Sequence, residues 1–200
     1  MIEAVIFDVG GVLLRTHDWS HRHKWDDILG LEHGTAEETV FNSDLGTAAQ
    51  TGQITTDQLW EKIGQRFELN GQQLAEFRED FWRGDRFDYT IIEFVRSLRP
   101  RYQTAIISNA FDDLRSVLTN EFQVADAFDL IVVSSEEQVM KPNATIYERT
   151  LGRLKCAPSA AVFIDDSAKN IAGAQAVGLQ TIHYKRDSDV PAAFKQLGVE

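Results

Sequence analysis

Five short apolar runs alternate with helical patterns, and this alternation constrains the fold more strongly than any other feature of the sequence. Each run has the length of a buried strand and is bounded by turn-forming or polar residues. The runs cover residues 3–7, 104–107 (TAII), 130–133 (LIVV), 161–164 (AVFI) and 180–183 (QTIH). Strands that alternate with helices predict an α/β fold, a doubly wound parallel sheet with helices on both faces.

The segment from residue 15 to about residue 87 interrupts this alternation, because its apolar periodicity is purely helical and no strand pattern in it is convincing. One apolar face covers residues 59–67 behind a predicted N-cap at Thr56, and a second face follows Asn70. We therefore predict a helical domain at 15–87, inserted directly after the first strand. The remaining residues, 1–14 and 88–200, form the predicted core domain.

Composition excludes several kinds of partner. The formal net charge is −11 and no block of Lys and Arg is present, which disfavours nucleic acid. No apolar run approaches the length of a membrane span, and the first residues, with the acidic Glu3, do not resemble a signal peptide. Cys156 is the single cysteine, so no intramolecular disulfide can form, and we expect it to be a small buried hydrophobe. We expect a cytoplasmic monomer or homodimer.

Polar residues follow the predicted strands at the edge where ligands bind in open parallel sheets. They are Asp8 after the first strand, Ser108 and Asn109 after the second, Lys141 before a predicted helix, and Asp165 and Asp166 after VFI. Buried carboxylates repel one another unless a cation offsets their charge, and oxygen ligands without a His or Cys cluster favour Mg²⁺. Such a metal, with Lys141 and the Ser108 hydroxyl, would suit a phosphoryl group, and an aspartate could accept that group covalently.

Four segments, VIFDVGGVLL, IISNA, KPNATIY and VFIDDSAKNIAGA, resemble in order the four motifs of the haloacid dehalogenase (HAD)-like hydrolase superfamily. The resemblance extends over nearly the whole chain and includes a helical cap after the first motif. It implies a Rossmann-like core, a C1-type cap and a Mg²⁺-dependent phosphatase acting on a small phosphorylated metabolite.

The resemblance also implies a metal site. Asp8 matches the first metal ligand as well as the nucleophile, and Asp166 matches the acidic metal ligand of the fourth motif. Gly10 corresponds to the position that reaches the metal through its backbone carbonyl. Asp165 and Asn170 match the supporting positions behind these ligands.

By the same resemblance, Ser108 and Lys141 join Asp8 as catalytic residues. Ser108 and the backbone after it match the donors to the phosphoryl oxygens, and Lys141 matches the cation that bridges nucleophile and phosphate. Substrate contacts are expected from Ser108, Asn109, Gly10 and Lys141.

Gly10 is where the sequence departs from most phosphatases of the superfamily, which carry a second aspartate there as general acid and base. A branch with glycine at this position includes sugar-phosphate phosphatases, such as one acting on α-D-glucose 1-phosphate. Loss of general acid–base assistance costs about 10²–10⁴ in rate. We therefore expect a preference for activated leaving groups, or an acid supplied by the cap or by solvent.

Two other functions remain open from the sequence. One is a 2-haloacid dehalogenase-type hydrolase, in which the aspartate attacks carbon without a metal. The other is a catalytically weak member of the superfamily that binds a ligand or partner.

The segment HDWSHRHKWDD contains several side chains that could serve the cap. Its two closest histidines, His21 and His23, are two residues apart and would point to different sides of a helix, which disfavours a second metal site. We expect a surface helix with a buried Trp25. One or two of His17, Trp19 and Arg22 are candidates to face the site and select the substrate.

Overall fold

The structure is a computed structural model that describes residues 1–199; Glu200, the last residue of the predicted core domain, lies outside the described residues. The strands are β1 (Ala4–Phe7), β2 (Leu14–Thr16), β3 (Asp85–Phe87), β4 (Gln103–Ser108), β5 (Leu130–Val133), β6 (Ala161–Asp165) and β7 (Gln180–His183). Five of them form a parallel sheet in the order β5-β4-β1-β6-β7. All five predicted strands and the α/β class are confirmed.

The helices are α1 (Ser20–Leu29), α2 (Thr35–Phe41), α3 (Asp44–Gln50), α4 (Thr56–Arg66), α5 (Gly71–Arg83), α6 (Tyr89–Leu98), α7 (Leu114–Ser116), α8 (Ser134–Glu137), α9 (Ala144–Leu154), α10 (Ala168–Ala176) and α11 (Val190–Gln196). A π-helical turn follows α7 at Val117–Glu121, and 3₁₀ turns lie at Ala125–Ala127 and Pro158–Ala160. None of the helices in residues 1–199 is both long and apolar enough to cross a membrane.

The central sheet is covered by an apolar layer on each face. Along β1, Val5 and Phe7 belong to one layer, whereas Ala4 and Ile6 belong to the other, as the alternation of a strand requires. Helix α6 packs on the first layer and helix α9 on the second. Cys156 is buried in the second layer, as predicted. With both faces covered, the polar edge at the carboxyl ends of the strands is where a ligand has access.

Helices α1 to α5 bury an apolar cluster of their own, which contains Trp25 as predicted. Helix α5 starts behind the N-cap Asn70, in a capping box with Gln73. The predicted N-cap at Thr56 was wrong by one residue: Thr55 caps α4 in a capping box with Gln58. Both threonines suit an N-cap chemically, and Thr56 is instead hydrogen-bonded to Asp112.

The prediction that residues 15–87 contain no strand was wrong. Strands β2 and β3 pair antiparallel, with Leu14 opposite Phe87 and Thr16 opposite Asp85. Each strand has three residues and is mostly polar, so neither produces an apolar run, and their pairing joins residues about seventy positions apart. This ribbon lies where the chain leaves the sheet and where it returns.

The helical segment, residues 15–87, contacts the rest of the chain at defined points. Thr56 donates to Asp112 Oδ1 from its backbone nitrogen at 3.0 Å and from its hydroxyl at 2.5 Å. The Ser134 hydroxyl donates to the Gln50 carbonyl at 2.6 Å. Phe111, three residues after Ser108, belongs to the apolar cluster of the helical segment. The loop after β4 is therefore packed directly against the inserted helices.

Candidate active site

Asp8 follows the middle strand of the sheet and lies at the centre of the candidate site. Its Oδ1 accepts from the Val9 backbone N–H at 2.7 Å and lies 2.7 Å from Lys141 Nζ. The same Nζ donates to Asp165 Oδ2 at 2.7 Å, and all three charged side chains are buried. Because β1 and β6 are neighbours, the two carboxylates come from adjacent strand ends and the lysine bridges them.

Asn109 holds the loop that carries Lys141. Its Nδ2 donates to the Lys141 carbonyl at 2.9 Å, and its Oδ1 accepts from the Lys141 N–H at 2.8 Å. These two hydrogen bonds together fix both the position and the orientation of the Lys141 backbone relative to the end of β4. Asn109 was predicted as a substrate contact. The structure gives it a positioning bond that the sequence did not reveal, because the two residues are far apart in the chain.

The adjacent acids Asp165 and Asp166 have different surroundings. Asp165 accepts from Lys141, from the Ser167 N–H at 2.7 Å and from Asn170 Nδ2 at 3.1 Å on both oxygens. Its oxygens are thus fully engaged by donors of the protein. Asp166 is exposed at the cleft, so its carboxylate is the freer of the two to bind a ligand.

Gly11 makes the position of Asp166 possible. Gly11 has φ +77°, and a Cβ there would lie 2.1 Å from Asp166 Oδ2. Any larger residue would meet both a left-handed backbone and the carboxylate. Gly11, the second glycine of the first motif, is therefore required because Asp166 of the fourth motif lies so close to it.

The site has an excess of negative charge. One carboxylate oxygen from each of Asp8, Asp165 and Asp166 lies within 4.8 Å of the others, whereas a single ammonium group, that of Lys141, bridges Asp8 and Asp165. Burial raises the pKa of Asp8 to about 8; Lys141 lowers it and Asp165 raises it in turn. Partial burial and then Asp165 raise the pKa of Asp166. A divalent cation offsets such an excess, and carboxylate oxygens are the ligands Mg²⁺ prefers, so the residues fit this ion.

Residues 2–178 match the family model of the haloacid dehalogenase-like hydrolases. The chain belongs to this family.

Relatives of this HAD-like hydrolase include more than one activity. A sesquiterpene phosphatase of Aspergillus oryzae is 27% identical over 187 residues, covering 90% of this chain and 89% of the relative. An (S)-2-haloacid dehalogenase of a Pseudomonas species is 26% identical over 198 residues, covering 92% and 85%. The structure of a HAD-family enzyme of Bacteroides thetaiotaomicron, in complex with magnesium and inorganic phosphate, matches with a TM-score of 0.82 at 21% identity, covering 97% of this chain and 100% of that one. The structural match confirms the HAD fold.

Gly10 of this HAD-like hydrolase is not required by space. A Cβ built on it meets no atom within 4 Å, and its backbone is not left-handed. Packing therefore does not require glycine at position 10, and the space where a side chain would begin is open.

Ser108 and Gly10 both line a cleft of about 970 Å³ that also contains Asn109 and Asp166. Ser108 is buried at the end of β4, so it reaches the cleft at its floor. Asp8 and Lys141 lie behind these residues. The cleft continues from the polar edge of the sheet to the helical segment, whose residues form its other wall.

The structure brings His17, Trp19 and Arg22 to this cleft, as the sequence suggested for one or two of them. Arg22 is fully engaged: Nε donates to the Phe81 carbonyl at 2.9 Å, Nη1 to Glu37 at 2.7 Å and Nη2 to Asp85 at 2.9 Å. Its guanidinium also lies 4.4 Å from the Phe81 ring centre. Arg22 thus ties α1 to α2, α5 and β3, and of the three it is the least free to bind a substrate.

The histidines of the helical segment form no metal cluster within residues 1–199. His23 stacks on His33 with ring centres 4.2 Å apart, and His21 lies 3.7 Å from Asp18. The absence of a second metal site here stays a prediction.

Proposed function

We propose that this protein is a Mg²⁺-dependent phosphatase that hydrolyses a small phosphorylated metabolite through an aspartyl phosphate on Asp8. The observation that carries the proposal is the bridge from Lys141 to Asp8 beside the open carboxylate of Asp166. Family membership and a phosphatase among the relatives support it.

Asp8, Asp166 and the Gly10 carbonyl would hold the metal ion, which would supply charge neutralisation for the phosphoryl group when bound. Asp8 is the nucleophile, held by Lys141 with its second oxygen free to attack phosphorus. Asp165 and Asn170 keep the ammonium of Lys141 in place. Ser108 and the following backbone donate to the phosphoryl oxygens at the N-terminal side of the loop. The attack breaks the bond between phosphorus and the ester oxygen, and the substrate alcohol leaves with a proton from solvent. Water then hydrolyses the acyl phosphate, which releases inorganic phosphate and restores Asp8.

Because position 10 is a glycine, the first motif supplies no general acid to protonate the leaving group. The anomeric oxygen of a sugar 1-phosphate and the carboxylate of an acyl phosphate depart from phosphorus with little protonation, so such substrates are the ones this site serves best. A sugar 1-phosphate belongs to this class and is part of the proposal.

As part of the same proposal, residues 15–87 act as the cap of a core formed by 1–14 and 88–200. The β2–β3 ribbon supports these boundaries, because it spans the points of departure and return. The separate apolar cluster of the helical segment also supports them.

The test is phosphate release from acetyl phosphate, glucose 1-phosphate and glucose 6-phosphate with Mg²⁺, repeated with EDTA. We expect EDTA-sensitive release and a higher kcat/KM for glucose 1-phosphate than for glucose 6-phosphate. Asp8→Asn should abolish release, whereas the control Asp27→Asn, on the exposed surface of α1, should retain it. Equal kcat/KM values for the two glucose phosphates would refute the leaving-group argument alone.

A different result would refute the phosphatase itself. Absence of EDTA-sensitive phosphate release from all these esters would do so. Release of chloride from (S)-2-chloropropionate in the presence of EDTA would instead identify the dehalogenase alternative.

A further inference from the structure

The upper part of the cleft is apolar and aromatic. The apolar residues that line it beyond the polar edge of the sheet are Leu14, Trp19, Phe41, Trp82, Phe111, Leu114, Val117 and Phe122. We call these eight residues the apolar wall. They come from both the helical segment and the core, so both parts of the chain contribute to the wall.

The wall is organised around Phe41. Its ring is stacked on Phe111 at 5.8 Å between centres and meets the edge of Trp82 at 5.8 Å. Trp19 is 42% exposed, although it is a large apolar residue. Exposed aromatic surface next to a polar site is unfavourable in water unless a ligand covers it.

The arginines of this part of the cleft are already paired. Arg22 is bonded to Glu37 and Asp85, and Arg78 donates to Asp57 at 2.9 Å. Arg15 is bonded to Asp88 and to a tyrosine hydroxyl through its two terminal nitrogens, whereas its buried Nε has no hydrogen-bond partner within residues 1–199. The hydroxyl groups of a sugar would have to compete with these bonds, whereas a hydrocarbon would leave them intact.

Apart from Asp166 and the ion pairs of the arginines, the charged residues of the cleft are Asp113, which is partly buried, and five exposed residues: His17, Glu121, Lys185, Arg186 and Asp187. The lining of the cleft thus combines the polar edge of the sheet, the apolar wall and these charged side chains. A ligand with a phosphate at one end and a hydrocarbon body behind it matches the first two.

We propose that, among phosphate monoesters with equally reactive leaving groups, the preferred substrates carry an apolar carbon body, which the apolar wall binds while the phosphate lies at Asp8. This inference rests on the proposed phosphatase function, because it assigns the body of the substrate of that same site. The body, rather than hydroxyl contacts, then supplies most of the specificity.

The test is kcat/KM for ethyl, butyl and hexyl phosphate, whose leaving groups are chemically alike and whose bodies differ in length. Burial of a methylene against the wall predicts a rise of about two- to fourfold for each one added. Binding of methylphosphonate and hexylphosphonate with Mg²⁺, measured by calorimetry, should show the same preference for the longer chain without any turnover. Equal values across either series would overturn the inference.

A matched pair of variants locates the effect. Trp19→Ser should compress the hexyl-to-ethyl ratio several-fold, because it removes apolar surface from the wall. Ile28→Ser, an equally exposed apolar residue on α1 that does not line the cleft, should leave the ratio unchanged. If both variants changed the ratio alike, the wall would not be the binding surface.

Acetyl phosphate separates the two proposals, because it has almost no carbon body. If acetyl phosphate is hydrolysed with Mg²⁺ but the alkyl series is flat, the phosphatase stands and the apolar body is refuted. If acetyl phosphate and all the alkyl esters are inert, the proposed function itself fails.

Discussion

Substitution of Gly11 by alanine tests how the first and fourth motifs fit together. Gly11 has φ +77°, and a left-handed backbone costs a residue with a Cβ about 1–2 kcal/mol. The new Cβ would also lie 2.1 Å from Asp166 Oδ2. The Asp166 carboxylate is at the end of a rotatable side chain, so it can move away from the new Cβ. We therefore expect the clash to displace this metal-binding group and to change the free energy of unfolding little.

Two measurements separate these effects. Urea unfolding in EDTA should show Gly11→Ala less stable than the wild type by about 1–2 kcal/mol. The Mg²⁺ concentration that gives half-maximal phosphatase activity should rise at least about tenfold, because a displaced ligand weakens metal binding.

Gly10→Ala is the matched control, since its Cβ meets nothing within 4 Å and its φ is not left-handed. It should leave the Mg²⁺ requirement unchanged, and its unfolding free energy should equal that of the wild type or exceed it by up to about 1 kcal/mol. If the two alanine variants behaved alike in both assays, the argument from Gly11 to Asp166 would be refuted.

Three further substitutions probe the site and its support. Gly10→Asp places an acid in open space and should raise kcat by up to about 10²–10⁴ for alkyl phosphates but much less for acetyl phosphate; equal gains would contradict a leaving-group role. Arg22→Leu leaves two partly buried carboxylates unpaired and should cost about 3–5 kcal/mol in urea unfolding at pH 7, against less than about 1 kcal/mol for the surface variant Arg66→Ala, whose partner Asp44 is exposed. Burial raises the pKa of the Glu37 and Asp85 carboxyl groups, so both bind protons more tightly in the folded protein than in the unfolded chain. The loss of unfolding free energy caused by Arg22→Leu should therefore become smaller as the pH falls towards 4. A loss that did not change with pH would contradict this cause. Asn109→Ala frees the backbone of Lys141 and should lower kcat more than it raises KM in steady-state kinetics; a change in KM alone would indicate a substrate contact instead.

Much of the fold was predictable because four of the five strands of the central sheet are almost wholly buried, whereas β7 is only partly buried. Such strands appear as continuous apolar runs, and all five runs became strands of the sheet. The ribbon of β2 and β3 was missed because its short polar strands carry no periodic signal and pair only through the tertiary fold. The local sequence pattern predicts a strand or helix when burial of apolar side chains stabilises that element. It fails to predict an element that forms only by pairing with a distant segment of the chain.

The site shows the same division. Asp8, Ser108 and Asp166 follow predicted strands, so their convergence could be inferred from topology alone. The bond between Asn109 and the backbone of Lys141 could not, because it depends on the path of a loop. Nor could the sequence tell that Asp165 is saturated by donors while its neighbour is open, since both are acids at the end of one strand.

The position of Phe111 limits how a molecule could enter this protein. The ring is held among the inserted helices against Phe41, while its backbone is only three residues from the serine that faces the phosphoryl position. If the inserted helices moved away as a rigid body, this ring would leave its aromatic surroundings or the loop that carries Ser108 would move with it. Wider access to the cleft is therefore coupled either to exposure of an aromatic ring or to displacement of that serine.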